Sequence, residues 1–254
     1  MGTMVCLVLL GLCGRANAQF LGSADNFAVL AGTTVTNTGA TLISGSLGVS
    51  PGGAVTGFPP GQVTNGSIHA ADAVAQQAQS DLTTAYNHLV GETPTTDLTG
   101  QDLGALTLTP GVYHFSSSAS LTGLLILDAQ GNPNARFDFQ IGTTLGTAPN
   151  SSVELIDGAS ASNIYWQVGS SATIGTDTAF AGNILASTSI TLNTGATLLD
   201  GSALARNGAV TLDTNTITLP PRPVPEPDAG MVVMACLLVT VPCFAMRTTK
   251  ARRS

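Results

Sequence analysis

Between Gln19 and Leu219 the 254-residue chain has no cysteine and no lysine. Its four cysteines, Cys6, Cys13, Cys236 and Cys243, all fall in the two ends. The stretch between them therefore has neither disulfides nor thiolate chemistry, and burial and backbone hydrogen bonding must hold it together. Only Arg136 and Arg206 are basic there, against 13 acidic residues. A surface that tracks phosphates needs many cations, so nucleic-acid binding is excluded. Histidine is equally scarce. His69 and His88 lie 19 positions apart in a helical stretch, roughly 28 Å along the axis, too far to share a ligand.

An enzyme needs polar groups that converge, and this chain scatters them. Asp128-Ala129-Gln130-Gly131-Asn132-Pro133-Asn134 offers oxygen ligands without the alternating spacing of a calcium loop, and reads as a turn. Glu154 and Asp157 stand at an odd separation, which puts them on opposite sides of a strand. Polysaccharide lyases, which are parallel solenoids, need basic residues or a metal in a groove, and Arg136 and Arg206 are thin material for one. The sequence supports no catalytic residue, no metal site and no cofactor.

The two ends carry processing signals. Val5 to Leu12 is an apolar run, and Ala16-Asn17-Ala18 is a small-residue cleavage site, so residues 1–18 read as a signal peptide. A lipoprotein signal at Cys13 is the competing reading, with Leu12 where a small residue should stand. Pro220-Pro221-Arg222-Pro223-Val224-Pro225-Glu226-Pro227 opens a stiff spacer over 220–228. Residues 229–246 are uncharged, near the lower limit for a transmembrane segment; a buried C-terminal helix is the alternative, favoured slightly by Pro242. Arg247, Lys250, Arg252 and Arg253 make 247–254 a basic cytoplasmic tail. Val224-Pro225-Glu226-Pro227, the apolar span and the basic end together resemble the PEP-CTERM sorting signal. That resemblance implies an exosortase-type processing enzyme as partner, and delivery to the cell envelope or outside it.

What the middle has in abundance is threonine, 30 residues between 19 and 219. Threonine is β-branched and suits strands, and here it recurs. Thr173-Ile174-Gly175-Thr176 returns as Thr191-Leu192-Asn193-Thr194 and Thr211-Leu212-Asp213-Thr214. A second series runs Asn163-Ile164-Tyr165-Trp166, Asn183-Ile184-Leu185-Ala186 and Ser202-Ala203-Leu204-Ala205. Repeats of about 20 residues with short strands indicate a solenoid. Ile190 with Leu192, and Val210 with Leu212, alternate at period two and face the core, so Thr191 and Thr211 point outward. Asn37-Thr38-Gly39-Ala40-Thr41-Leu42 echoes Asn193-Thr194-Gly195-Ala196-Thr197-Leu198. The N-terminal segment is then a coil of the same solenoid. One helix is expected over about 67–90, with Ile68, Ala71, Ala75, Ala78, Leu82, Ala85 or Tyr86, and Leu89 in one stripe.

Several long motifs resemble the microbial ice-binding protein family. They are Phe137-Asp138-Phe139-Gln140-Ile141-Gly142, Trp166-Gln167-Val168-Gly169-Ser170-Ser171-Ala172-Thr173, Gly182-Asn183-Ile184-Leu185-Ala186 and Leu204-Ala205-Arg206-Asn207-Gly208-Ala209-Val210-Thr211-Leu212-Asp213. Leu47-Gly48-Val49-Ser50-Pro51-Gly52 and Thr56-Gly57-Phe58-Pro59-Pro60-Gly61 extend the likeness upstream. The resemblance implies a mainly β fold: a right-handed β-helix (solenoid) of triangular section, filling 19–219, with one long α-helix packed alongside. It also implies an ice site on one flat face, often carrying Thr-Ala/Gly-x-Thr/Asn. Thr38-Gly39-Ala40-Thr41 and Thr194-Gly195-Ala196-Thr197 match that pattern. The expected contact set is Thr173, Thr176, Thr191, Thr194, Thr197, Thr211, Thr214, Thr38 and Thr41. Asp177, Asp200 and Asp213 fall nearby, and their charge works against an ordered water array. The function expected is extracellular ice binding (antifreeze activity, inhibition of recrystallisation), with the ice crystal surface as partner. The alternative is a cell-surface or matrix structural solenoid without ice activity.

Overall fold

The computed structural model describes residues 20–220. The expected signal peptide, transmembrane segment, basic tail, and all of the spacer beyond Pro220 lie outside them. Among the described residues no helix is long and apolar enough to cross a membrane, and no group of three or more His, Cys, Asp or Glu could hold a metal ion.

The chain winds as a three-sided parallel solenoid. Most coils give one strand to each of three sheets, of nine, seven and eight strands. These are called here the first, second and third faces. A representative coil runs Asn183–Ala186 on the first face, Ile190–Leu192 on the second and Thr197–Leu199 on the third. All the sheet ladders are parallel, as in Thr173 beside Thr191 and Phe180 beside Leu198. The interior is filled by the inward half of each strand, from Val29, Val35 and Ile43 to Ala203, Val210 and Ile217. At its centre Phe139 stacks on Trp166 at 3.8 Å between ring centroids, and Phe180 leans on Trp166 at 4.9 Å. The indole nitrogen of Trp166 donates to the Ala181 carbonyl at 3.0 Å, so the most polar atom of this ring is paired even when fully buried.

The N-terminal coil belongs to the solenoid, as its sequence suggests, but its position is unexpected. It stacks directly on the C-terminal coil: Val29 pairs with Ala203, Thr36 with Thr211 and Ile43 with Ile217. The chain then makes a further coil through Ser46–Val49, Ala54–Thr56 and Gln62–Thr64. It crosses back along the first face in the helix α1, Ala73–Gly91, and rewinds towards its own start.

The helix begins later than the sequence stripe implies. Ile68–Ala70 is a strand, half exposed at Ile68, and Ala71 takes a positive φ of 55°. Asp72 caps the helix by accepting from the Ala75 amide at 2.8 Å, which fixes the start there. The rest of the stripe is correct: Ala75, Ala78, Leu82, Ala85, Tyr86 and Leu89 are buried. They cover Leu30, Tyr165, Leu185 and Leu204, the outward residues of the first face, in a second apolar core.

One charged cluster joins the two layers. Buried Asp138 accepts from Arg136 at 2.9 Å, and Arg136 lies 3.0 Å from Glu92 just past the helix end. The guanidinium packs over the rings of Phe20 and Tyr165 at 4.2 and 5.0 Å. Burial outweighs the pull of Arg136 and, with Glu92 adding repulsion, pushes the Asp138 carboxyl from 3.8 up to about 7. A folded-state pKa raised in this way gives stability that is full below the unfolded value and is lost as pH rises through the folded value. The melting temperature of the parent, relative to Asp138→Asn, is expected to fall as pH rises from about 4 to about 7 and then level off. A pH-independent difference between the two melting curves would remove this role from Asp138.

Candidate functional site

The strands of the second face contain no Asp, Glu, Lys, Arg or His, whereas Asp138 lies on the first face and Glu154 on the third. Within each strand the flanking residues turn inward. Ala172 and Ile174, Ile190 and Leu192, and Val210 and Leu212 are all buried, so the threonine between each pair points out. The ladders set these threonines in one file. Thr173 stands beside Thr191, Thr191 beside Thr211, Thr211 beside Thr36 and Thr36 beside Thr56. Gly146 and Ser120 continue the file at its far end. Neighbours are separated by one strand spacing, about 4.8 Å. Ser171, Ser189, Ala209, Thr34 and Ala54, each one residue before an inward position, make a second file of small side chains beside it.

The helix lies on the first face and leaves this one uncovered. The result is a two-file array of hydroxyls and methyls on a backbone fixed by continuous ladders. Such a surface can order water by hydroxyl hydrogen bonds and methyl contact, without the strong hydration shell of a charge.

The structure brings together Thr173, Thr191 and Thr211 as the sequence implies. It adds Thr36 and Thr56, which the sequence reading missed. Their signal is the alternation Thr34-Val35-Thr36 and Ala54-Val55-Thr56, an apolar residue between two small outward ones.

The remaining candidates lie elsewhere. Thr176 and Thr194 sit at the corner between the second and third faces, where the Asp177 amide donates to the Thr194 carbonyl at 3.0 Å. Thr214 does not continue their file. Leu192 pairs with Leu212, and Thr197 with Thr216, so the later coil is one residue shorter at this corner. Asp213 therefore takes the place beside Thr194, and Thr214 falls in line with Asp177 and Gly195, all three with positive φ. Thr38 lies at the same corner, its amide bonded to the Leu212 carbonyl at 3.0 Å. Thr197 is on the third face, beside Ala179 and Thr216.

Thr41 is the clearest correction. It is buried, 1% exposed. Its hydroxyl donates to Asn37 at 2.6 Å and accepts from the Asn215 amide at 3.0 Å. The hexapeptide echo is out of register by one residue here, since Leu42, not Thr41, pairs with Thr216 and so lines up with Thr197. One residue of slip reverses the facing of the side chain.

Asp213 organises the corner. Thr194 donates to one of its carboxylate oxygens and Thr214 to the other, the latter at 3.0 Å. Hydrogen bonds from Thr194 and then Thr214 hold the Asp213 carboxyl below its ordinary range. It is therefore ionised wherever the protein is folded at ordinary pH.

A three-sided parallel solenoid, with a helix along one side and an uncharged threonine file on another, defines a recognisable class. The family model described as ice-binding-like matches residues 29–218, and the chain belongs to that family. An ice-binding protein of Nostoc sp. (strain HG1) is 56% identical over 239 residues, covering 91% of this chain and 88% of the relative. Ice-binding protein 1 of Shewanella frigidimarina (strain NCIMB 400) is 36% identical over 79% of this chain, which spans 26% of that longer relative. Among solved structures, an ice-binding protein from an Antarctic biological consortium superposes with a TM-score of 0.76 at 54% identity, covering 79% of this chain and 90% of that one. The ice-binding protein of the Antarctic ascomycete Antarctomyces psychrotrophicus gives 0.76 at 42% identity, covering 80% and 98%.

The separation of buried from exposed threonines is directly measurable. Thr41→Val leaves the Asn37 and Asn215 partners unsatisfied in the interior and is expected to cost about 1–3 kcal/mol. Thr191→Val, on the open file, is expected to stay within about 0.5 kcal/mol of the parent. Chemical denaturation of both variants tests this; equal losses would place both residues in the same environment.

Proposed function

We propose that the chain binds ice, and that it does so through the second face, along the file Thr173, Thr191, Thr211, Thr36 and Thr56. The observation that carries this reading is the in-register threonine file on a sheet without a charged residue. Family membership, and ice-binding relatives that cover most of the chain, point the same way. The array is rigid before it meets ice, so adsorption has little ordering cost. Adsorbed protein would pin a growing crystal surface, which gives thermal hysteresis and slows recrystallisation.

The test is steric. Thr191→Tyr and Thr211→Tyr should each sharply reduce ice shaping and hysteresis without lowering the melting temperature, while Thr197→Tyr on the third face should leave both unchanged. Loss of activity in Thr197→Tyr alone would move the site to the third face. A folded parent that neither shapes ice nor slows recrystallisation would favour a structural solenoid at the cell surface.

The reading extends to location. The apolar run and cleavage site of residues 1–18, the proline-rich spacer, the uncharged span 229–246 and the terminal basic cluster support export, with at least transient anchoring and exosortase-type processing. Deleting residues 229–254 should release the domain from the membrane fraction into the medium, as followed by immunoblot. An unchanged membrane fraction would rule out the anchor.

A further inference from the structure

The corner between the second and third faces is built differently from the face beside it. Asp177 and Asp213 both project there, on either side of Thr194 and Gly195. Each carboxylate is seated over a glycine: a Cβ at Gly195 would run into the Asp177 carboxylate, and one at Gly39 into Asp213 and Thr214. Two threonines, Thr194 and Thr214, direct their hydroxyls to Asp213. These are the corner hydroxyls that the sequence pattern assigns to the ice site, and they are oriented to a charge instead.

We infer that Asp177 and Asp213 are specificity-determining residues that end the ice-contacting surface at this corner, confining adsorption to the second face. The inference rests on the ice-binding reading of that face. An ionised carboxylate holds its own water shell and gives it up at high cost. Water around it is arranged about the charge rather than about the threonine files. The Asp213 carboxylate also takes up the donor protons of Thr194 and Thr214. Without the charge, the corner file would read Thr176, Thr194 and residue 213, and would carry the threonine surface round towards Thr197 and Thr216 on the third face.

The variants are Asp213→Asn, which keeps size and an acceptor oxygen, and Asp213→Thr, which completes the corner file. A double variant, Asp177→Asn with Asp213→Asn, removes both charges; asparagine tolerates the positive φ of 53° at position 177. Thermal hysteresis is measured at equal concentration, ice-plane adsorption is followed with fluorescently labelled protein, and circular dichroism confirms folding. The expected result is higher hysteresis and adsorption to additional ice planes, greatest in the double variant. A second expectation separates a wider surface from a merely less charged one. Thr197→Tyr, harmless in the parent, should reverse the gain when added to Asp213→Thr. Unchanged or lower hysteresis in folded variants overturns the boundary while leaving the ice-binding reading intact. If the parent does not adsorb but the uncharged variants do, the ice-binding reading of the second face falls, and the boundary falls with it. If none adsorbs, both readings fall.

Discussion

In a parallel ladder the height of a side chain is fixed by strand spacing, and its facing by whether it is odd or even along its strand. Everything else in this protein depends on keeping that register across coils with no disulfide to enforce it. The file from Thr173 to Thr56 exists because Ile190, Val210, Val35 and Val55 occupy the same height on the opposite side of the sheet. The corners absorb the irregularities. Buried asparagines do much of this work: Asn37 donates to the Gly39 and Gly57 carbonyls at 2.6 and 2.9 Å, and Asn215 to Asn193 and Ala196 at 2.8 and 3.1 Å. Each ties a turn to the coil beneath it, where a carbonyl would otherwise lack a partner.

The three faces divide the tasks. The first gives its outward residues to a second apolar core under α1, so the sheet is buried on both sides, as is usual for parallel sheets. The third mixes Leu124, Leu199 and Leu42 with Glu154 and small polar residues. Among the described residues, only the second is at once uncovered, uncharged and built from small hydroxyl side chains. The surface proposed to meet ice is rigid because the helix fastens the opposite side, through Tyr86 donating to the Val168 carbonyl and Gln140 to the carbonyls of Leu89 and Glu92.

Much of this was legible in the chain. Period-two alternation around Thr191 and Thr211 gave their facing, and the repeat gave the solenoid. The helix stripe from Ala75 to Leu89 was correct because burial alone determined it. The misplaced site residues came from corners. Asn37-Thr38-Gly39-Ala40-Thr41-Leu42 and its later copy are identical as letters, yet the first enters the corner one position earlier, with Asn37 itself at the height of Leu192, which sends Thr41 inside and Leu42 out. One residue fewer after Leu212 puts Asp213 where a threonine was expected. Turn length is set by local backbone choices such as the left-handed residues Asp177, Gly195 and Thr214. Hydrophobic periodicity does not report these choices. Nor did the repeat reveal that Trp166 lies beside Ile184 rather than two positions away.

The stacking of the first coil on the last has a mechanical consequence. An ordinary solenoid pulled by its two ends can unravel one coil at a time, each rupture loading only the next interface. Here the strands near the two ends of the domain lie side by side in the interior of the stack. They are joined on all three faces by Val29 with Ala203, Thr36 with Thr211 and Ile43 with Ile217. Tension between the ends therefore meets these central ladders before it reaches either end of the stack.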